Sequence, residues 1–332
     1  MNVVSFAREL IDIESTTGQE QEAGRWLVGR LGQMGYAVRA DPVGDGRVNV
    51  FASLDPPDVV FSTHFDCVPP FFPSSVRGGR LYGRGSCDAK GILAAQVGAA
   101  EQLRAEGVRR VGMLFVVGEE RGSDGAKAAN AMPARSKYLI NGEPTDSRLA
   151  IATRGVLRVR LHASGRAAHT ALPELGESAI EKLVDALVAL RTIELPTDPL
   201  LGPTYYTAAL IEGGIAPNVV PPAASVEINF RTSRPAPEVL ARLQPLASRV
   251  RIEEVLHVPE VRFQPFEDAG IESAVFPFTT DVPFLSNWGT PLLFGPGSIH
   301  VAHTAEEHVE IRELEAAVES YARLARACLA AG

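Results

Sequence analysis

The sequence predicts an α/β fold, with a mostly parallel central sheet, helices on both faces and an inserted α+β domain of ferredoxin-like order. In the first half of the chain, apolar runs of buried-strand type alternate with helical patterns, the signature of parallel strands joined by helical crossovers. After Thr153-Arg154-Gly155 the order becomes strand, helix, strand, strand, helix, strand, the split arrangement of a self-contained antiparallel sheet. Near Phe266 the first pattern returns. The first domain is therefore expected over 1–154 and 263–332, and the insert over 155–262.

A chain of 332 residues can bury one large or two moderate cores, and 45% hydrophobic with 22% charged residues is ordinary for a soluble globular protein. With 40 acidic against 32 basic side chains the net charge is −8, which disfavours nucleic acid and anionic membrane as partners. A small-molecule substrate is the better expectation. Cys67, Cys87 and Cys328 are odd in number and lack Cys-x-x-Cys spacing, so a disulfide framework is not expected and a reducing cytoplasm fits. Arg8, Glu9 and Asp12 break any signal-peptide core, and no apolar run approaches the roughly 20 residues of a membrane span.

Residues 3–13 read as an amphipathic helix and 19–34 as a second, with Trp26, Leu27, Leu31 and Met34 on one side and Gly35 closing it. Residues 36–39 and 47–53 read as strands. The apolar run 58–66 ends in His64 and Asp66, which share a face in extended chain. Residues 109–117 form a buried strand ending in Gly118-Glu119-Glu120, and 137–140 another ending in Asn141-Gly142-Glu143-Pro144. Helical patterns over 90–106 and 125–132 separate them. In the insert, 156–163, 205–212, 225–232 and 251–257 read as strands, and 177–192 and 237–249 as helices. The run 291–294 is a buried strand, followed by Gly295-Pro296-Gly297 and His303, and 311–330 is a closing helix.

The residues able to do chemistry fall just past the ends of the presumed strands, where open α/β sheets bind their ligands. His64, Asp66, Glu119, Glu120 and Glu143 do so, Asp88 sits at a glycine-rich turn ahead of a helix, and His303 follows the last strand. Imidazole and carboxylate donors suit zinc or a similar divalent ion, and one carboxylate bridging two ions explains the presence of two histidines and three acids. Asp66 is placed to orient His64, and Glu119 to act as a general base. His300 competes with His303, but only His303 has the His-Thr-x-x-Glu continuation. Cys67 and Cys87 flank ligand positions and read as small buried side chains. His162, His257 and His308 carry no motif.

Five ordered stretches resemble a known family: Ser62-Thr63-His64-Phe65-Asp66-Cys67-Val68, the stretch from Gly83 to Gly91, Gly118-Glu119-Glu120-Arg121-Gly122-Ser123, Asn141-Gly142-Glu143-Pro144-Thr145 and Ala302-His303-Thr304-Ala305-Glu306-Glu307. The chain is similar to the co-catalytic metallopeptidases that include acetylornithine deacetylase, succinyl-diaminopimelate desuccinylase, aminoacylase and glutamate carboxypeptidase. The resemblance implies one metal on His64, Asp88 and Glu143, a second on Asp88, Glu120 and His303, Glu119 as acid/base, and a cis peptide after Asp88. It also implies that the insert is a lid and dimerisation domain, that His169 helps to stabilise an oxyanion, and that Asn218 and Arg231 contact substrate. Gly142-Glu143-Pro144-Thr145, Thr279-Thr280-Asp281-Val282-Pro283-Phe284 and the Gly295-Pro296-Gly297 loop look closer to the acetylornithine deacetylase branch.

The expectation is a metal-dependent amidohydrolase with two divalent ions, zinc with cobalt able to substitute, removing an acetyl group from an N-acyl amino acid such as N-acetylornithine. A dipeptidase, carboxypeptidase or desuccinylase on the same scaffold is the alternative, and a metal-free non-catalytic relative the rival from another class. A homodimer joined through the insert is expected.

Overall fold

Every residue of the strands Val59–His64 and Val111–Val116 is buried, and the two pair in parallel, as strands covered on both faces do. They form the centre of a six-stranded sheet in the computed structural model of the protein, which describes residues 1–266 and 270–331. Across the sheet the order is Ala37–Gly44, Arg47–Ser53, Val111–Val116, Val59–His64, Tyr138–Asn141 and Thr290–Leu293. The last four strands are parallel, and the first two form an antiparallel hairpin at one edge.

Alternate residues of these strands feed two cores, because side chains in extended chain point to opposite faces. Val59, Phe61, Met113, Phe115 and Ile140 pack with the helices Val3–Ile11, Gln21–Gln33, Lys90–Ala105 and Ile311–Ala331. Val60, Leu114, Val116 and Leu139 pack with Ala126 and Ala129 of the helix Asp124–Asn130 and with Trp288. Lys90–Ala105 is buried nearly all round, since it contacts the sheet as well as the helices Val3–Ile11 and Ile311–Ala331. No helix among the described residues is long and apolar enough to cross a membrane.

Ser75–Arg77, Arg80–Tyr82 and His308–Glu310 form a small antiparallel sheet that no pattern in the sequence announces, because three residues are too few to show an alternation. Its pairing of Val309 with Leu81 draws the turn after His303 against the loop that leads to Asp88.

The second compact unit comprises Ala152–Arg262 and Val275–Thr279, the latter a segment that the sequence pattern groups with the first domain. Its sheet has the order Tyr205–Gly213, Ala223–Thr232, Gly155–Ser164 and Arg251–Val258, antiparallel throughout. Leu157, Val159, Leu161, Val226, Ile228 and Phe230 pack with Leu183 of the helix Ala179–Leu190 and Val239 of the helix Ala236–Leu243. Ser178 caps the first of these helices by accepting the Glu181 N–H at 3.2 Å. The second is shorter than the expected 237–249 and continues as the 3-10 turn Gln244–Ser248. Pro245 has no N–H to continue an α-helical ladder.

Candidate metal centre and active site

Parallel strands aim their carboxyl ends at one edge, and the candidate residues collect there. His64 ends Val59–His64, Glu119 and Glu120 open the 3-10 turn Glu119–Arg121 just past Val111–Val116, and Glu143 follows Tyr138–Asn141. Gly118 takes φ +76°, and a Cβ there would lie 1.6 Å from Asp124 Oδ1, so only glycine permits the turn that presents the two glutamates. Gly85 takes φ +89° in the loop before Asp88, where a Cβ would meet Cys67 Sγ at 2.7 Å. The Asp88–Ala89 peptide is cis.

Two groups of three ligand-type residues result, and they share Asp88. In the first, His64 Nε2 lies 3.0 Å from Asp88 Oδ1 and 4.0 Å from Glu143 Oε2. In the second, His303 Nε2 lies 3.3 Å from Asp88 Oδ2 and 2.9 Å from Glu120 Oε1. Each group keeps its donor atoms within 4.8 Å of one another. The two oxygens of Asp88 therefore face two different imidazoles, the arrangement of a bridging carboxylate. Glu143 Oε1 is buried with no hydrogen-bond partner among the described residues, an unmet acceptor that fits a cation. His300 is exposed and joins neither group.

Glu119 belongs to neither group, and Asp66 holds it in place. The Asp66 carboxylate accepts the backbone N–H of Glu119 at 3.0 Å, that of Glu120 at 3.2 Å and the Thr17 hydroxyl at 2.8 Å. His64 Nδ1 faces the Asp66 carbonyl at 3.0 Å and its Oδ1 at 3.3 Å, so the main chain as well as the carboxylate fixes the ring. Thr17 carries no motif, and nothing in the sequence marks it. Asp281 is buried beside Ser123, just past the glutamate turn.

The electrostatics show a centre short of positive charge. Burial, and then the Glu143 carboxylate, push Glu119 well above the usual carboxylate range. Burial likewise raises Glu120 and Glu143, and raises Asp281 to about 7. His303 is raised to about 10 by its hydrogen bonds to Asp88 and Glu120. Burial opposes the charged form of His64, yet the hydrogen bonds to Asp66 and Asp88 raise it well above the ordinary imidazole value. Burial also opposes ionisation of Asp88, but the bonds from His303 and His64 prevail and keep its pKa low. Carboxylates raised by burial and by one another, beside imidazoles raised by those carboxylates, make an environment that favours added positive charge. Burial pushes the Cys67 thiol up to about 12 and Cys87 well above its ordinary value, so neither offers a thiolate near neutral pH.

The other expected site residues lie in the second unit. His169 and Val219 form an isolated antiparallel bridge, and the Thr170 N–H donates to the Asn218 carbonyl at 3.1 Å, so His169 and Asn218 are neighbours there. The His169 ring is exposed, and its Nδ1 accepts the Ala171 N–H at 3.1 Å. Arg231 stands on Ala223–Thr232 opposite Tyr205, half-buried and with no acidic partner among the described residues.

The sequence profile of peptidase family M20/M25/M40 matches residues 60–327. A peptidase M20 domain-containing protein of Schizosaccharomyces pombe is 34% identical over 339 residues, covering 97% of this chain and 84% of that protein. A probable carboxypeptidase of Aspergillus clavatus is 34% identical over 373 residues, covering 98% of this chain and 82% of that protein. Among solved structures, a tripeptidase from Staphylococcus aureus has a TM-score of 0.83 at 19% identity, over 99% of this chain and 98% of that one. A dinuclear metal binding peptidase from Bacillus subtilis has a TM-score of 0.73 at 16% identity, over 97% and 96%. These structures share the fold. The profile match and the relatives' identity over nearly the whole chain establish that it belongs to peptidase family M20/M25/M40 and is a hydrolase of that metallopeptidase family.

Proposed function

We propose that the protein is a two-metal peptidase that cleaves a linear amide bond near a free carboxylate, in a dipeptide or other short peptide. The observation that carries this reading is Asp88, whose two oxygens face two imidazoles in two ligand groups, with Glu119 beside them and in neither. His64, Asp88 and Glu143 would hold one cation, and Asp88, Glu120 and His303 the other. Histidine with carboxylate donors suits zinc, with cobalt as a substitute.

When bound, the cations supply Lewis acidity at the scissile carbonyl. Glu119 takes a proton from the attacking water and passes it to the leaving amine. Asp66 keeps that carboxylate in register by holding the Glu119 N–H. His169 donates a hydrogen bond to the developing oxyanion, from its own chain or from a second copy. Arg231, a guanidinium without an acidic partner among the described residues, pairs with the peptide carboxylate, and Asn218 orients the amide.

Relatives named as carboxypeptidases favour a peptide over the N-acetyl amino acid expected from the motifs. A homodimer is part of the proposal. The outer strand Tyr205–Gly213 of the insert is exposed along nearly its whole length and carries Leu210 and Ile211 at 62% and 65% exposure. Pairing that edge with its symmetry mate would satisfy its unpaired backbone groups. Three free buried cysteines suit a reducing cytoplasm.

The test is a screen of the zinc- and cobalt-loaded protein against dipeptides, tripeptides, peptides blocked at the C-terminus, and N-acetyl amino acids including N-acetylornithine. Turnover of free-carboxylate peptides above the rest is expected. A clear preference for N-acetylornithine would replace the peptidase reading with the deacetylase one.

A further inference from the structure

We infer that Glu307 is a positioning residue for the two-cation centre, setting both the loop that carries Asp88 and the turn that carries His303, so that the second ligand group depends on it more than the first. This rests on the two-metal reading above and extends it to a side chain that touches neither cation site directly.

Glu307 is wholly buried, and its Oε1 accepts three backbone N–H groups, from Gly85 at 2.9 Å, Cys87 at 3.2 Å and Asp88 at 3.1 Å. Its own carbonyl accepts a fourth, from Gly83 at 3.3 Å. Nearly every alternate peptide of the loop before the bridging acid thus ends on one residue that is 219 positions away from Asp88. The other carboxylate oxygen pairs with Arg84, which is equally buried. Arg84 also donates through Nε to the Pro70 carbonyl at 3.2 Å and lies over the Phe72 ring at 5.0 Å. One ion pair therefore ties together the segment after Asp66, the loop before Asp88 and the turn after His303.

A buried ion pair is by itself weak evidence of stability, because apolar side chains of the same volume would serve as well. Collecting N–H groups from the loop that leads into a ligand is different, since no apolar side chain can accept them. The two ligand groups do not need this equally. His64 belongs to a central strand and Glu143 follows another. His303 sits on a turn at φ +65°, a region that side chains with a Cβ rarely adopt, so its geometry has to be imposed from outside. Glu307, four residues further on, and the pairing of His308–Glu310 with Arg80–Tyr82 impose it.

The test is calorimetric titration of the metal-free full-length protein with zinc, repeated with cobalt and read by its visible absorption, for the natural protein, Glu307→Gln and Glu307→Asp. Circular dichroism and melting confirm that each variant is folded. The natural protein should take two ions. Glu307→Gln should bind the second ion about 10- to 100-fold more weakly while the first stays within about threefold, the range seen when a group that orients a ligand is removed. Glu307→Asp keeps the charge for Arg84 but retracts it by one methylene, and it should show the same selective loss, also where the Gln variant does not fold. Wild-type affinity for both ions in a folded variant with a lowered melting temperature would make Glu307 purely structural and overturn the inference. Equal weakening of both ions would overturn its selectivity. Fewer than two ions on the natural protein would defeat the two-metal reading itself, a failure visible before any variant is made.

Discussion

Asp66 Oδ1 accepts the backbone N–H of Glu119 at 3.0 Å, so the residue beside the first histidine also holds the proposed base. The same carboxylate accepts from Glu120 and Thr17 and faces His64 Nδ1, which leaves little room for an amide in its place. Asp66→Asn would turn an NH₂ group towards donors. We expect it to lower kcat and the affinity for the first cation by about 10- to 100-fold each. Steady-state kinetics and zinc titration check both. A loss confined to melting temperature would leave Asp66 as a structural residue.

Glu119→Gln keeps the shape of the side chain and removes its proton chemistry. Two cations should still bind, and kcat should fall by about 10²- to 10⁴-fold. Near-normal kcat at full metal loading would show that another group carries the proton.

Removal of metal should make stability strongly dependent on pH. His303 is raised to about 10 and Asp281 to about 7, and His64, Glu119, Glu120 and Glu143 are also raised. A raised folded-state pKa lends stability that is fully present below the unfolded value and is lost as the pH rises through the folded one. The metal-free protein should therefore lose stability progressively from about pH 4 to about pH 10. Asp66 and Asp88 are shifted the other way, and their contribution is lost only at lower pH. Zinc should remove most of the slope by replacing the bound protons. Melting temperatures at pH 5, 7 and 9, with chelator and with zinc, decide the point; a flat profile in chelator would contradict it.

The exposed edge Tyr205–Gly213 leads to a prediction about assembly. Light scattering should give a dimer, and Ile211→Lys should shift it to monomer without unfolding the insert. Mixing inactive His169→Ala and Glu119→Gln chains should restore part of the activity if His169 serves the site of a second copy. A monomer at assay concentration excludes that version.

The sequence by itself determined the strands and helices of the central sheet, because buried parallel strands are continuous apolar runs and their crossovers carry a helical period. It also marked His64, Glu119, Glu120 and Glu143, since chemistry in such sheets gathers just past the strand ends, and Asp88 through the glycines that its turn requires. The period of a pattern, however, says nothing about which distant residue meets which. Thr17 reaches Asp66 across 49 positions, and Glu307 reaches the Asp88 loop across 219. Only the folded chain made those contacts. Asp66 looked like a partner for His64 alone, and tertiary structure showed it to be the anchor of the glutamate turn as well. The small sheet that unites the His303 turn with the Asp88 loop was equally hidden, because its three-residue strands are specified by their partners and not by any alternation of their own.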